Sequence, residues 1–369
     1  MAILLGMDEA GYGPQLGPLA VAATAWEVQD ELSHGELASA SGSTNKQPAI
    51  VATLSQSSTA QLPKHNLHKL LRSVVSRKPS DRKIAIADSK ALYKPGSGLR
   101  QLERGLHAVL LAMQQPLSRW SSFLDGTEAD PEGHHQRLAW HDGFDCPLPV
   151  DATADELARC GERMSQACEA AGVRPLAVRA RLVFPAEFNG LCERYGSKGE
   201  ALSHVTIGLL RELVEAVQCK KGTGTDRRRD NGESTSDSIG ASPLFAVCDK
   251  HGGRNFYAAL LQHHFPDHWI QPVVESRAES RYEWGDDERR MEVVFRTKGE
   301  EFLPTALASM TAKYLRELSM RAFNEFWCAR VPNLRPTAGY PGDATRFRRD
   351  VDAMQRDLRI DDHVMWRNR

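Results

Sequence analysis

Four acids spread over most of the chain are the residues whose type and setting could do chemistry. Asp8 and Glu9 close an apolar run that begins at Ile3, and they stand just before Gly11-Tyr12-Gly13-Pro14. Asp249 ends a second apolar run, Leu244-Phe-Ala-Val-Cys248, ahead of Gly252-Gly253. Glu317 lies beside an apolar stripe formed by Leu303, Leu307, Met310, Tyr314 and Leu318. Hydrolysis of a phosphodiester without a covalent intermediate is served by two divalent cations about 3.5–4 Å apart, one activating water and one stabilising the leaving oxygen. Magnesium favours oxygen ligands, with a few carboxylates completed by waters and substrate phosphates. Three or four acids converging at strand ends would meet that need.

Each acid also has a plainer reading. Neighbours on a regular strand point to opposite faces, so Asp8 and Glu9 share a site only where the strand breaks. Gly11 and Gly13 offer that break and a close backbone approach. The same pair equally suits a strand end before a solvated turn. Asp249 suits a turn former or a helix cap. Glu317, four residues after Lys313, suits a surface ion pair. A dinucleotide-binding turn needs G-x-G-x-x-G opening a helix. The spacing Gly11, Gly13, Gly17, followed by Pro18 and a strand-like run, does not supply it.

The elements that must position these acids alternate between strand and helix. Residues 3–8 and 18–26 read as strands flanking the glycine turn, and 84–88 as a short one. Further strands are expected at 176–184, 244–248, near 269–275 and at 291–296. Helical patterns cover about 99–113, 154–171, two stretches ending near Gln218, and 303–328 with its stripe at three-to-four spacing. A last helix is expected from the basic segment Arg346-Phe-Arg-Arg349. Residues 30–62, 116–152 and 220–242 are polar or irregular and read as insertions. This interleaving indicates an α/β class. The domain expectation is a body over 1–330 with a helical C-terminal extension over 331–369.

Bulk properties bound the function. Hydrophobic residues are 41% and charged residues 26%, which suits a soluble globular chain. No apolar run reaches the roughly 18 residues of a membrane span. The first residues lack a basic start and reach an acid by position 8, unlike a signal peptide, so a cytoplasmic monomer is expected. Seven scattered cysteines without a Cys-x-x-Cys pair fit free thiols. A net charge of −1 leaves any phosphate affinity to a local basic face. His134, His135 and His141, near Asp142, Asp145 and Cys146, read as a solvated loop before a metal site. Arg281-Tyr-Glu-Trp284 reads as a strand with partly exposed aromatics. Arg346, Arg348 and Arg349 read equally as a solvated helix face or a phosphate track.

Longer strings go further. Gly6-Met-Asp-Glu-Ala-Gly-Tyr-Gly-Pro-Gln-Leu-Gly-Pro-Leu-Ala-Val-Ala-Ala23 resembles the opening motif of the ribonuclease HII family. Ala87-Asp-Ser-Lys-Ala-Leu92, Phe184-Pro-Ala-Glu-Phe-Asn189, Val247-Cys-Asp249, Lys298-Gly-Glu300, Ala308-Ser-Met-Thr-Ala-Lys313 with Arg316-Glu317, and Gly339-Tyr340 resemble later segments in the family's order. The likeness spans about residues 3–345.

The resemblance implies a ribonuclease H-like fold, with a mixed five-stranded sheet flanked by helices and a helical C-terminal extension. It implies hydrolysis of the RNA strand of an RNA–DNA hybrid or a ribonucleotide-containing duplex, with Mg2+ or Mn2+. Asp8, Glu9, Asp249 and Glu317 would be both the catalytic and the metal-binding carboxylates. Gly11, Tyr12 and Gly13 would face the ribonucleotide, whose 2′-hydroxyl separates RNA from DNA. Lys90 would contact backbone phosphate, and Tyr340 would pack near the sugar beyond the cut. Four positions depart from the pattern. Tyr12 replaces a basic residue, Glu317 replaces Asp, and Thr337-Ala338 replace His-Lys. An alternative reading is therefore a paralogue that binds nucleic acid without cutting it.

Overall fold

The structure is a computed structural model that describes residues 1–29, 66–94, 96–222, 242–286 and 289–368. The expected insertion at 30–62 and most of that at 220–242 lie outside the described residues. The chain opens with β1 (Ala2–Ala10) and β2 (Leu19–Val28), followed by α1 (Leu67–Leu70), β3 (Val75–Ser76), β4 (Ile84–Ala85) and α2 (Ser89–Leu92). Helices α3 (Arg100–Ala112), α4 (Trp120–Thr127) and α5 (Ala154–Ala170) lead to β5 (Val173–Val183), α6 (Pro185–Tyr195) and α7 (Lys198–Gly222). Then come β6 (Leu244–Asp249), α8 (Ala258–His264), β7 (Gln271–Glu275), β8 (Glu279–Trp284) and β9 (Met291–Arg296). Helices α9 (Leu303–Cys328), α10 (Pro341–Asp357) and α11 (Asp362–Met365) complete it.

The main sheet has seven strands in the order β5-β2-β1-β6-β9-β8-β7. β1 runs parallel to β6, and β6 parallel to β9. The pairings of β2 with β1 and β5, and of β8 with β9 and β7, are antiparallel. The mixed sheet flanked by helices that a ribonuclease H-like fold requires is present, with seven strands where five were expected. The additional width is the β7–β8 hairpin beyond β9. Both of its strands fall where strands were expected, near 269–275 and at 281–284. The aromatics of β8 are not exposed as expected, since Tyr282 and Trp284 are buried.

β1 and β2 are apolar on both faces because helices cover both. Leu4, Ala20, Ala22 and Trp26 enter a core shared with α3, α5, α9 and α10. Ile3, Leu5, Met7, Val21 and Ala23 enter a second core with α6, α7 and α8. α9 crosses β1 closely enough that a Cβ on Gly6 would fall 2.1 Å from the Pro304 carbonyl carbon. Two hydroxyls fix that crossing: Thr24 donates to the Pro304 carbonyl at 2.8 Å, and Thr305 to the Val247 carbonyl at 2.9 Å.

The segment 116–152 is not a loose insertion. It holds α4, and Trp120, Phe123, Leu138, Trp140 and Leu148 are buried in the first core. His141 is buried with them, stacked on Trp120 at 5.7 Å, so the solvated-loop reading fails at that residue. The helix expected from Arg346 begins at Pro341, five residues earlier, and a short α11 follows it. Arg346 is paired there with Asp343 and Asp350, and Arg348 with Asp362. None of the seven cysteines is in a disulfide. Among the described residues, no helix is long and apolar enough to cross a membrane.

Candidate active site

Sheet register sets the acidic corner. Parallel pairing of β1 with β6 runs to Met7 opposite Cys248, so Asp8 and Asp249 are the next residues out on neighbouring strands. β6 ends here and β1 two residues further on, at the carboxyl edge where open α/β sheets bind ligands. β1 stays paired to β2 through Ala10, and the break comes at Gly11, where it was expected. The two side chains leave from opposite faces and flank the strand end. The Glu9 amide donates to an Asp8 carboxylate oxygen at 2.8 Å.

Electrostatics ties the three together. Burial, then the charge of Glu9, then that of Asp249, raise the Asp8 pKa well above the carboxylate range. Glu9 is pushed to about 7 by burial and then by Asp249, with Lys90 opposing. Asp249 is raised by burial, against hydrogen bonds from the Gly299 and Lys250 amides and the charge of Lys90. Three carboxylates that resist ionising together are a site short of positive charge.

Lys90 is the cation nearest that need. Burial opposes its charge, but Asp88, Asp8, Asp249 and Glu9 together raise its pKa. It sits in α2, whose cap is Asp88 accepting from the Lys90 amide at 3.0 Å. Ser309 on α9 hydrogen-bonds Asp8 and also meets Ser89, hydroxyl to hydroxyl at 3.1 Å. Glu300 is a further acid at the corner, raised by burial and by the charges of Asp249 and Asp88. The hard oxygen donors of this set suit magnesium or manganese. They are spread rather than convergent, since no three of their oxygens lie within 4.8 Å of one another.

Glu317 is engaged differently. One oxygen takes the Lys313 ammonium at 2.5 Å, and the other accepts from the Tyr93 hydroxyl at 2.8 Å. The Lys313 ammonium also lies 4.6 Å from the centre of the Tyr93 ring. The ion pair four residues apart, the plainer of the two expectations, is thus formed.

The glycine turn is held from behind by two buried arginines. Gly11 has φ of +85°, and a Cβ there would fall 2.7 Å from both Arg316 Cδ and the Pro18 carbonyl. Arg316 donates to the carbonyls of Pro18, Leu16 and Ala338 at 2.6, 3.1 and 3.1 Å. Arg367 donates to those of Gly11, Pro14 and Gly17 at 2.5, 3.3 and 2.7 Å. Burial lowers both guanidinium pKa values, and for Arg367 the nearby Arg316 adds to it.

Around the turn stand the other expected substrate residues. Tyr12 feels burial first and the charge of Glu9 second, both raising its pKa. The Lys198 ammonium at the start of α7 lies 4.9 Å from the Tyr12 ring centre. Tyr340 is exposed, and its ring edge lies 3.9 Å from where a Gly13 Cβ would stand. The structure thus gathers Asp8, Glu9, Asp249 and Lys90 at one corner, and Gly11, Tyr12, Gly13 and Tyr340 at the adjoining turn.

Against known proteins the chain finds distant structural likeness only. No family model matches it, and no curated protein matches it. The solved structure of the PCNA:RNase HII complex from Archaeoglobus fulgidus aligns over 100% of this chain and 94% of that one, at 14% identity and a TM-score of 0.37. Ribonuclease H2 from Pyrococcus horikoshii OT3 aligns over 98% of this chain and 92% of that one, at 13% identity and a TM-score of 0.39. At those values function must be argued from this chain's own residues.

Four residues of the site were absent from the sequence reading as actors: Ser309, Arg316, Lys198 and Arg367. The first two sit inside strings quoted for the resemblance, which is a usable signal. Lys198 and Arg367 carry none. Arg367 reaches Gly11 across 356 positions, and nothing local marks a terminal arginine as a buttress.

Proposed function

We propose that the chain is a divalent-metal-dependent endonuclease that hydrolyses the RNA strand of RNA–DNA hybrids. The observation that carries this reading is the gathering of Asp8, Glu9 and Asp249 at the carboxyl edge of β1 and β6, where burial raises all three pKa values and the charge of Asp249 adds to it at Asp8 and Glu9. Such a donor set binds hard cations, and the strings around all three acids resemble ribonuclease HII. When bound, magnesium or manganese supplies the Lewis acidity that activates water and stabilises the leaving oxygen.

This chain's residues would do the rest. Asp8, Glu9 and Asp249 hold the cations. Lys90 neutralises residual charge and meets phosphate. The turn at Gly11 and Gly13 lets backbone approach the ribose, with Tyr340 exposed beside it for packing on a sugar. Lys198 offers a cation near Tyr12, where the family has a basic residue.

One observation favours the second reading, a paralogue that binds without cutting. Glu317, the expected fourth ligand, is occupied by Lys313 and Tyr93. A cleavage panel decides between them, using long hybrids, duplexes with one embedded ribonucleotide and plain DNA, each with magnesium and with manganese. The nuclease reading requires hybrid cleavage that Asp8→Asn and Asp249→Asn both abolish. Binding of hybrid without cleavage by either metal would install the paralogue.

A further inference from the structure

A second cluster of metal-ligating side chains lies on the helices that cover the other face of the sheet. His204 is in the second turn of α7, and His263 and His264 end α8. One ring nitrogen from each lies within 4.8 Å of the other two, the only such trio among the described residues. His204 Nδ1 and His264 Nε2 are 3.2 Å apart. The three ring centroids are separated by 5.0 to 5.3 Å. Two imidazole nitrogens on one tetrahedral zinc, each about 2.0–2.1 Å from the ion, stand about 3.3 Å apart. The 3.2 Å between His204 and His264, a hydrogen-bond contact between the two rings, is also the separation of two ligands to a shared ion.

We propose that His204, His263 and His264 form a transition-metal site, for zinc or for cobalt or nickel, that clips α8 to α7. The donor type separates it from the acidic corner, because three imidazoles select a borderline cation over magnesium. The ligands are also ready to bind. Burial, then the other histidines of the trio, hold the His264 pKa down at about 4, and burial lowers that of His204. The His264 ring is therefore neutral at pH 7, as metal binding requires.

Neighbouring groups support the site unequally. The Tyr195 ring stacks on His204 at 3.8 Å and 14°, which fixes its orientation. His263 and His264 stand at the carbonyl end of α8, where the helix favours positive charge. Three arginines bear on the trio, Arg194, Arg211 and Arg254, and they oppose a cation. Arg254 is paired with Glu200, and Arg211 with Glu215, which offsets two of them. His263 is exposed, so a cation can reach the trio from solvent on that side. This inference does not depend on the nuclease reading.

The test titrates the full chain, without a histidine tag and carrying Asp8→Asn and Asp249→Asn, with Co2+ alone. Expected is one equivalent of four-coordinate cobalt, visible as intense d–d absorption, displaced by Zn2+ and untouched by excess Mg2+. The band should fall at least tenfold in His263→Ala, whose exposed side chain can be lost without unfolding, and likewise in His204→Ala. Saturating Zn2+ should raise Tm by about 3–5 °C in the parent and not in His263→Ala. Absence of a four-coordinate band, or a band that survives His263→Ala, overturns the site. Neither result bears on hybrid cleavage, which is measured on the chain with intact acids.

Discussion

At the residue scale, the acidic corner sets stability against chemistry. Asp8 is held among like charges with its pKa raised by burial, Glu9 and Asp249, so its ionised form is a cost to the empty fold. Asp8→Asn keeps the shape and removes that cost. The expected outcome is a gain on the order of 1 kcal/mol in metal-free unfolding, as often seen when a strained active-site residue is neutralised. Hybrid cleavage should fall at least about 1000-fold in the same protein, since cation affinity and placement both go. Urea melts in chelator and single-turnover cleavage measure the two halves. A destabilised Asp8→Asn would mean that the carboxylates are not in conflict. Glu317 calls for a graded result, because it must leave Lys313 and Tyr93 before serving a cation. Glu317→Gln should cost about 10- to 100-fold in cleavage, the range of a displaced positioning group, and less than Asp8→Asn. A change under threefold would remove Glu317 from the site.

At the element scale, two ends of the chain meet. The glycine turn between β1 and β2 rests on α9 through Arg316 and on the C-terminus through Arg367, and Leu16 bridges to Trp366. The forked Arg367 guanidinium spans three carbonyls, a reach that an ammonium does not reproduce. Arg367→Ala should cost about 2–4 kcal/mol in urea unfolding by leaving buried carbonyls unsatisfied. Arg367→Lys should recover less than half of that, and full recovery would reduce the contact to simple charge. This meeting also marks how much was legible in the sequence. Strands β1, β2 and β6 and helix α9 announce themselves as long apolar runs or stripes, and the acids at their ends come with them. The packed segment 116–152 does not, because its burial comes from distant partners rather than from a local period. Trp120 and Trp140 are buried by what folds over them. The site divides the same way: Asp8, Glu9 and Asp249 end readable strands, while Lys198 and Arg367 matter only through contacts made across the fold.

At the scale of the whole molecule, acid stability draws on buried histidines that composition treats as ordinary, and His141 is one of them. His141 lies inside the first core, stacked on Trp120 and edged by Phe144 and Phe184. Its Nε2 meets the Ser319 hydroxyl at 3.2 Å, while Nδ1 is buried without a partner. Burial first, then the charge of His135, hold its pKa down at about 3. Unfolded, the ring titrates near 6.5. Its folded pKa is thus the lower one, and the unfolded chain binds the extra proton. Stability is complete above about pH 6.5 and falls as the pH drops toward 3, by up to about 1.4 kcal/mol per pH unit. His141→Phe removes the titrating group and keeps the apolar contacts, at the loss of one hydrogen bond to Ser319. At pH 7.5 the variant should be about 1 kcal/mol less stable. Between pH 7.5 and 4.5 it should lose about 2–3 kcal/mol less than the parent, so that the two curves cross. Urea unfolding at half-unit pH steps gives the comparison. Parallel curves would show that His141 accepts its proton inside the fold, and the core around Trp120 would then have to admit water.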